Sequence, residues 1–250
     1  MPRPRLGQHF LQDHAVVQRH LSYANLTAKD TVLEIGPGTG VLTFPMAAQV
    51  QQVIAVELDE SLYQQLQKKT PNNVTLLQGD ILQLDWKTFP AWNKVLANIP
   101  YEISSPLTFQ LLQHQFDCAV LMYQKDFAQR MVAQPHTKEY SRLTVALYYY
   151  THCTIMEEIP PTSFSPPPKI ESCLVKLVPR TTPTFTVEDE TVFFDIVKQV
   201  FLHRRKTIKN ALSPLIGTDA NNVSYADQRA EELTPEQLGH LSDEIYYMQK

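Results

Sequence analysis

The sequence contains few cysteines and no long apolar run, and each shortage excludes a class of protein. Its three cysteines, Cys118, Cys153 and Cys173, are an odd number without a CxxC pair. We therefore expect reduced thiols packed in a core, as in a cytoplasmic protein, rather than a disulfide framework. No apolar run reaches the roughly 18 residues of a membrane-spanning helix. The opening MPRPRLGQHF has arginines but no apolar segment, so we expect no secretory signal.

Histidine is present, but not in a metal-binding pattern. The eight histidines form no HExxH motif and show no ligand-like spacing with cysteine. Zinc sites in proteins depend on such spacings of nitrogen and sulfur ligands. We therefore expect no metal site.

Positive charge is scarce overall, since the 250 residues carry a formal net charge of −4. The shortage is local, because residues 219–250 hold seven acidic and two basic residues while the rest of the chain is nearly neutral. The stretch HRRKTIK (203–209) has four positive charges and no acid. Salt screens charges separated by more than about 10 Å, so this local excess still permits a nucleic-acid partner.

Short apolar runs alternate with helix-like segments between residues 31 and 124. The runs are nearly continuous in Val, Ile and Leu, which is typical of parallel strands buried on both faces. They are TVLEIG (31–36), QVIAVEL (52–58), VTLLQGD (74–80), KVLANIP (94–100) and CAVLMYQ (118–124). A helix is predicted in SPLTFQLLQHQ (105–115), with Ser105 as N-cap and Pro106 at the first helical position. The alternation predicts a doubly wound α/β sheet that binds ligands at the carboxyl ends of its strands.

The chain changes character after residue 124. LTVALYYYTHCTIMEEI (143–159) and SCLVKLV (172–178) predict two more strands, joined by the proline-rich PPTSFSPPPK (160–169). A composition shift at PRTTPTFT (179–186) precedes a segment, about 187–250, that is predicted to be helical. We therefore expect a large domain over residues 1–180 and a small helical domain over residues 181–250.

A glycine-rich loop, LEIGPGTG (33–40), follows the first predicted strand. Gly36, Gly38 and Gly40 allow tight turns and a close approach of the backbone to a ligand. Val41 stands where a dinucleotide fingerprint has its third glycine, and no Gly-Lys-Ser/Thr follows as in a P-loop. The loop therefore gives no indication of a phosphate ligand.

Acidic residues end the next two predicted strands. Glu57 can accept hydrogen bonds from both ribose hydroxyls of a nucleoside cofactor. Asp80 can accept a hydrogen bond from an adenine amino group, and Ile81, which follows it, is a further candidate for contact with the cofactor. An adenosyl cofactor without phosphates fits this order, namely S-adenosylmethionine (SAM) with its amino acid end near the glycine loop. The alternative is that the glycines only make a tight turn and the acids only add solubility.

The fourth predicted strand ends in Asn98, Ile99, Pro100 and Tyr101. An unpaired amide at the end of a buried strand is costly. The Asn98 side-chain oxygen and the Ile99 carbonyl could accept both N–H bonds of an adenine amino group and free its lone pair for attack on a methyl donor. Pro100 would stiffen the turn, and the Tyr101 ring would stack on the base. Alternatively, Asn98 only caps the helix that follows.

A group of basic side chains lies near the end of a predicted C-terminal helix. They are Arg204, Arg205, Lys206 and Lys209. Lys198, Arg205 and Lys209 fall on one helical face by their i, i+7 and i+11 spacing. The group either binds RNA phosphates or forms a solvated helix face. Arg3 and Arg5 are further candidates for RNA contacts.

Together these motifs resemble the ribosomal RNA adenine dimethyltransferases over about residues 5–215. The resemblance is carried by LGQHFLQD, VLEIGPGTGVLT, VIAVELD, QGDIL, NIPYEISSPLTF, MYQKDFAQRMVAQPHTKEYSRLTV, FSPPPKIESCLVKLVP and VFLHRRKTIKNAL. MYQKDFAQRM is more similar to the archaeal and eukaryotic branch than to the bacterial one. The resemblance implies a Rossmann-like SAM-dependent methyltransferase sheet with a small helical C-terminal domain.

The resemblance also implies a reaction and roles for individual residues. The reaction is N6,N6-dimethylation of two adjacent adenosines near the 3′ end of small-subunit rRNA, on an assembling ribosomal particle. Tyr101 and Phe164 would sandwich the target adenine, although from the residues alone Phe164 is equally a core anchor in a proline-stiffened loop. The SAM site would be lined by His9, Leu11, Gly36, Gly38, Glu57, Asp80 and Asn98. His9 stands where many relatives carry Asn. We expect a monomer.

Two other functions stay open. A methyltransferase that confers antibiotic resistance by modifying one adenosine of large-subunit rRNA shares motifs similar to NIPY and GQHFL. RRKTIKNAL and FSPPPK favour the small-subunit enzyme. A non-catalytic assembly or transcription factor with this fold would be indicated by the loss of Asn98 or Tyr101, and both residues are present.

Overall fold

The computed structural model describes residues 9–250, so Arg3 and Arg5 lie outside the described residues. The described chain divides into two compact units. One contains the residues up to Ala128 together with His152–Pro179, and the other contains Gln129–Thr151 and Arg180–Lys250. The second unit thus includes a segment that precedes the boundary expected near residue 180.

The described residues form nine strands. In chain order they are β1 (Phe10–Leu11), β2 (Thr31–Ile35), β3 (Gln52–Glu57), β4 (Val74–Gln78), β5 (Lys94–Asn98), β6 (Cys118–Gln124), β7 (Thr151–Ile159), β8 (Phe164–Ser165) and β9 (Ser172–Pro179). β1 pairs with β8 in an antiparallel two-stranded sheet. The other seven form one sheet in the order β4-β3-β2-β5-β6-β9-β7.

The large sheet is parallel from β4 to β6, and β9 joins β6 in the antiparallel direction. Side chains of its inner strands, including Val32, Leu33, Val53 and Ile54, are fully buried. The α/β prediction is therefore confirmed. The strand order reverses between β2 and β5, and open α/β sheets bind ligands at the carboxyl ends of strands at such a reversal.

Nine α-helices accompany the strands in the described residues. They are α1 (His14–Tyr23), α2 (Thr43–Ala47), α3 (Glu60–Gln67), α4 (Ser104–Leu111), α5 (Lys125–Met131), α6 (Arg142–Tyr150), α7 (Glu190–Leu202), α8 (Ile208–Ile216) and α9 (Pro235–Met248). Aspartates at positions 13, 59 and 189 cap α1, α3 and α7 by accepting backbone N–H bonds from the first turn. Within residues 9–250, no helix is both long and apolar enough to cross a membrane.

Two local predictions are wrong. The segment 143–159 is not one strand, because α6 occupies its first half and β7 begins only at Thr151. Thr144 accepts a hydrogen bond from the Ser141 backbone and donates one to the Arg130 carbonyl, which fixes the start of α6. In α4 the N-cap is Ile103, so Ser105 and Pro106 lie inside the first turn.

The second unit is helical around its own core, which confirms the predicted helical C-terminal segment. Tyr149 belongs to this core, and its ring centroid lies 5.1 Å from that of Phe185 and 5.5 Å from that of Phe193. The predicted continuous basic helix is wrong, since α7 ends at Leu202 and α8 begins at Ile208. Arg205 lies in this break, and Lys209 lies beyond it in α8. Neither residue therefore shares one helical face with Lys198. A bridge between Thr207 and Arg229 fixes the break.

Candidate active site

A pocket in the first unit lies at the carboxyl ends of β2, β3 and β5, where the strand order reverses. Most of its lining comes from the glycine loop, the segment around β1 and the turn after β5. The lining residues are His9, Phe10, Leu11, Glu34, Gly36, Pro37, Gly38, Thr39, Val41, Leu42, Glu57, Leu62, Asn98, Ile99, Pro100 and Tyr101. Nine of the predicted site residues are thus brought together: His9, Leu11, Gly36, Gly38, Glu57, Asn98, Ile99, Pro100 and Tyr101.

The glycine loop is fastened to β3 by its backbone. The Gly36 N–H donates to the Val56 carbonyl at 2.9 Å, and the Gly38 N–H donates to Glu57 Oε2 at 3.0 Å. Gly36 and Gly38 have φ angles of +67° and +59°, which L side chains rarely adopt. A Cβ at Gly38 would also lie 3.3 Å from the Phe10 ring. Both glycines therefore keep the backbone close to the pocket.

Gly40 has a different role from the other two glycines. It does not line the pocket, and a Cβ there would overlap the Phe44 ring and lie 2.9 Å from Leu66 Cδ2. Its φ of +87° turns the chain into α2. Gly40 thus permits the close packing of Phe44 and Leu66 against the backbone. Because Gly40 is not among the residues that line the pocket, its predicted contact with the cofactor stays a prediction.

Glu57 presents a buried carboxylate to the pocket. Its side chain is held by two backbone donors, Gly38 on Oε2 and Asp59 on Oε1 at 2.8 Å. Each carboxylate oxygen can accept more than one hydrogen bond, so capacity remains for a ligand hydroxyl. Burial raises the pKa of Glu57 above its usual value.

Glu34 is a pocket residue that the sequence analysis missed. It lies in β2, is 1% exposed, and its Oε2 has no hydrogen-bond partner among the described residues. Burial, together with the nearby Glu57 carboxylate, raises the pKa of Glu34 to about 8. An acid within the apolar run TVLEI was the available signal, because unpaired glutamates are almost never fully buried.

Asp80 and Ile81 follow β4 but do not line the pocket. The Asp80 carboxylate accepts the Leu82 backbone N–H at 3.0 Å. Ile81 is buried, and its carbonyl accepts a hydrogen bond from Trp86 Nε1 at 2.8 Å. Their predicted contacts with the cofactor adenine therefore stay a prediction.

The turn after β5 places Asn98 beside the glycine loop. Asn98 pairs with Met122 of β6 in the strand register, and the Ile99 N–H donates to the Met122 carbonyl at 3.3 Å. The Pro100 ring would lie 3.5 Å from a Cβ at Gly36. The Asn98 side chain makes no hydrogen bond with any described residue, so it does not cap α4. Within the described part of the chain, its amide is therefore available to a ligand at the pocket.

Tyr101 and His9 extend the pocket with aromatic rings. Their ring centroids are 6.1 Å apart and their planes are tilted by 33°. The Tyr101 hydroxyl lies 2.7 Å from Ser172 Oγ, and burial raises the pKa of Tyr101, so the phenol stays neutral. His9 Nδ1 lies 2.8 Å from the Pro166 carbonyl. A carbonyl only accepts, so Nδ1 carries the proton in this hydrogen bond.

Phe164 does not line the pocket in this structure. Antiparallel pairing sets it opposite Leu11, and both side chains join the hydrophobic core of the first unit. Phe164 is 4% exposed. This placement corresponds to a core anchor, because the β1–β8 pairing, invisible in local sequence, buries the ring. A sandwich with Tyr101 is not formed here, and that role stays a prediction.

The comparisons with known proteins agree with this geometry. The family model for ribosomal RNA adenine dimethylase matches residues 2–249. This chain belongs to that family. It is 41% identical to a probable ribosomal RNA small subunit methyltransferase A from Methanococcoides burtonii, covering 96% of this chain and 92% of the relative. It is 42% identical to the protein of the same name from Methanococcus maripaludis C7, covering 97% of each.

Solved structures give the same result for the fold. A dimethyladenosine transferase from Plasmodium falciparum aligns with a TM-score of 0.82 at 27% identity, covering 96% of this chain and 98% of that one. The 23S rRNA methyltransferase ErmE aligns with a TM-score of 0.67 at 25% identity, covering 94% and 98%. The Rossmann-like methyltransferase fold is confirmed, and the chain is an rRNA methyltransferase by family.

The basic residues predicted to bind rRNA are not equivalent. Arg204 bonds to Glu231 and to the carbonyls of Thr137 and Lys138 at 2.8 and 2.6 Å. Lys209 pairs with Asp227 at 2.6 Å. In contrast, two exposed side chains make no ion pair with any described residue, namely Arg205 and Lys206. Those two are the better placed for phosphate contacts, while the other two fasten the second unit.

No group of three or more potential metal ligands comes together in residues 9–250. Within the same residues, Cys118, Cys153 and Cys173 are free thiols, and two of them are buried.

Proposed function

We propose that this protein transfers methyl groups from SAM to the N6 atoms of two adjacent adenosines near the 3′ end of small-subunit rRNA, in an assembling ribosomal particle. The observation that carries the proposal is the Asn98 amide at the end of β5, which makes no hydrogen bond within residues 9–250 and lies beside the positive-φ glycine loop. We expect the reaction to take place in the cytoplasm and the protein to act as a monomer.

The residues of the pocket fit SAM. Gly36 and Gly38 leave room for a ligand against the backbone, and the fixed carboxylate of Glu57 suits ribose hydroxyls. Glu34 adds a carboxyl group at the same pocket, and its Oε2, which has no partner among residues 9–250, is available to a ligand. When bound, SAM supplies an electrophilic methyl group on a sulfonium sulfur.

Methyl transfer then depends on how the chain holds the substrate amine. The Asn98 side-chain oxygen and the Ile99 carbonyl accept the two N6–H bonds of the adenine, which draws that nitrogen towards tetrahedral geometry. With SAM bound, the lone pair would form the N–C bond as the methyl–sulfur bond breaks, S-adenosylhomocysteine would be the leaving group, and the nitrogen would release a proton to water. Placed dipoles and orientation supply the acceleration, so no strong base is needed.

The small subunit is favoured over the large subunit as substrate. The curated relatives at 41–42% identity carry small-subunit names, whereas the 23S rRNA enzyme aligns at 25% identity. A non-catalytic factor is less favoured, because both Asn98 and Tyr101 are present at the pocket. The first alternative would methylate large-subunit rRNA, and the second would methylate nothing.

The test is methyl transfer from labelled SAM to unmethylated small ribosomal subunits. Large subunits and naked rRNA serve as control substrates, and nucleoside mass spectrometry identifies the product. We expect N6,N6-dimethyladenosine only on small subunits, at two positions. Label on large-subunit RNA would instead support the resistance activity. Tight binding of SAM and particles without transfer would overturn catalysis in favour of a binding factor.

A further inference from the structure

The ring of Tyr101 is held at both of its ends. Its backbone lies in a short 3₁₀ turn, Tyr101–Ile103, that directly follows Pro100. At the far end, its hydroxyl lies 2.7 Å from the Ser172 hydroxyl. A tyrosine side chain has two rotatable torsions, and a hydrogen bond at its tip limits both. The orientation of the ring is therefore restricted by its hydroxyl as well as by the backbone turn.

The partner that fixes the ring belongs to the rigid part of the fold. Ser172 is 0% exposed and begins β9, where it pairs with Gln124 of β6. The same strand β6 pairs Met122 with Asn98. The Ser172 hydroxyl and the Asn98 amide are thus set by registers on the two sides of one buried strand. Sites supported on strands are held more accurately than sites supported on loops.

We propose that Ser172 is a positioning residue that sets the orientation of the Tyr101 ring for the target base. The inference rests on the proposed function. Because the Tyr101 hydroxyl is occupied by Ser172, the ring meets a base through its face rather than through its hydroxyl. Ser172 itself is fully buried and acts only through that hydroxyl.

The test is a double-mutant cycle built from Ser172→Ala and Tyr101→Phe. Single-turnover methylation of small subunits is measured for both single variants and for the double variant, with SAM affinity measured separately. Loss of one hydrogen bond predicts a decrease of roughly three- to tenfold in each single variant. The double variant should be no slower than either single variant, because both substitutions remove the same contact. SAM affinity should be unchanged.

A matched control is Ser242→Ala in the second unit. Ser242 is also buried and donates one hydrogen bond, to the Gly239 carbonyl at 2.7 Å. We expect this variant to methylate at the wild-type rate. The inference is overturned if Ser172→Ala has no effect, or if it slows the Tyr101→Phe variant as much as it slows the wild type. A wild-type protein that transfers no methyl group would overturn the proposed function instead, so the two failures are distinguishable.

Discussion

Glu34 makes the stability of this protein depend on pH in a way that one substitution removes. Its pKa is about 8 in the folded chain, against 4.5 for an exposed glutamate. Between these values the folded protein keeps a proton that the unfolded chain has lost. The free energy of unfolding therefore falls as pH rises, and it falls by about 1.4 kcal/mol per pH unit from this group alone.

Glu34→Gln keeps the size of the side chain and removes its ionisation. Relative to the variant, the wild type should lose about 2.5 kcal/mol of stability between about pH 5.5 and about pH 7.5. Glu57 also has a raised pKa from burial, so some decline should remain in the variant. The difference between the two proteins isolates the contribution of Glu34.

Urea unfolding followed by tryptophan fluorescence, repeated over that pH range, gives the required free energies. Glu60→Gln is the matched control, because Glu60 is an exposed glutamate in the first turn of α3. The control should follow the pH profile of the wild type. If the free energy of unfolding changed with pH equally in wild type and Glu34→Gln, the reasoning would be refuted. The Glu34 carboxyl would then not retain its proton on folding.

Three further predictions concern the cofactor pocket, the basic segment between α7 and α8, and a buried ion pair of the sheet. Gly38→Ala should weaken SAM binding measured by calorimetry, because φ is +59° and the added Cβ meets Phe10. Replacing Arg205 and Lys206 together by Ser should reduce the steepness of the plot of log binding constant against log salt concentration by about 1.5 for small-subunit binding. Filter binding over a salt series measures this slope. Lys94→Met should destabilise the protein by about 3 kcal/mol in urea unfolding, because it leaves the buried Asp30 carboxylate without its cation.

The parallel strands were predictable because burial on both faces demands continuous apolar runs. The α6 segment was not, because its Thr, Val and Tyr residues favour strands in isolation. Its side chains are buried almost all round, including Leu143, Val145, Ala146, Leu147 and Tyr149. Periodicity cannot separate a fully buried helix from a buried strand.

The candidate site was predictable where its residues lie at the end of a strand. It was not predictable where a residue's position depends on pairing with a strand that is distant in the chain. Asn98 and Glu57 end strands, so their common edge follows from the parallel sheet. The burial of Phe164 depends on its pairing with Leu11, more than 150 residues away in the chain. Ser172 meets Tyr101 only because β9 inserts next to β6. Neither contact leaves a local pattern in the sequence.

Asn98 is the residue on which methyl transfer should depend most directly. The deciding measurement is single-turnover methylation of small subunits by Asn98→Ala, with SAM and particle affinities measured in parallel. We expect the rate to fall by about a hundredfold or more, while particle binding is retained. An unchanged rate of methyl transfer to adenine N6 would contradict the assignment of the Asn98 amide as the acceptor for the substrate amine.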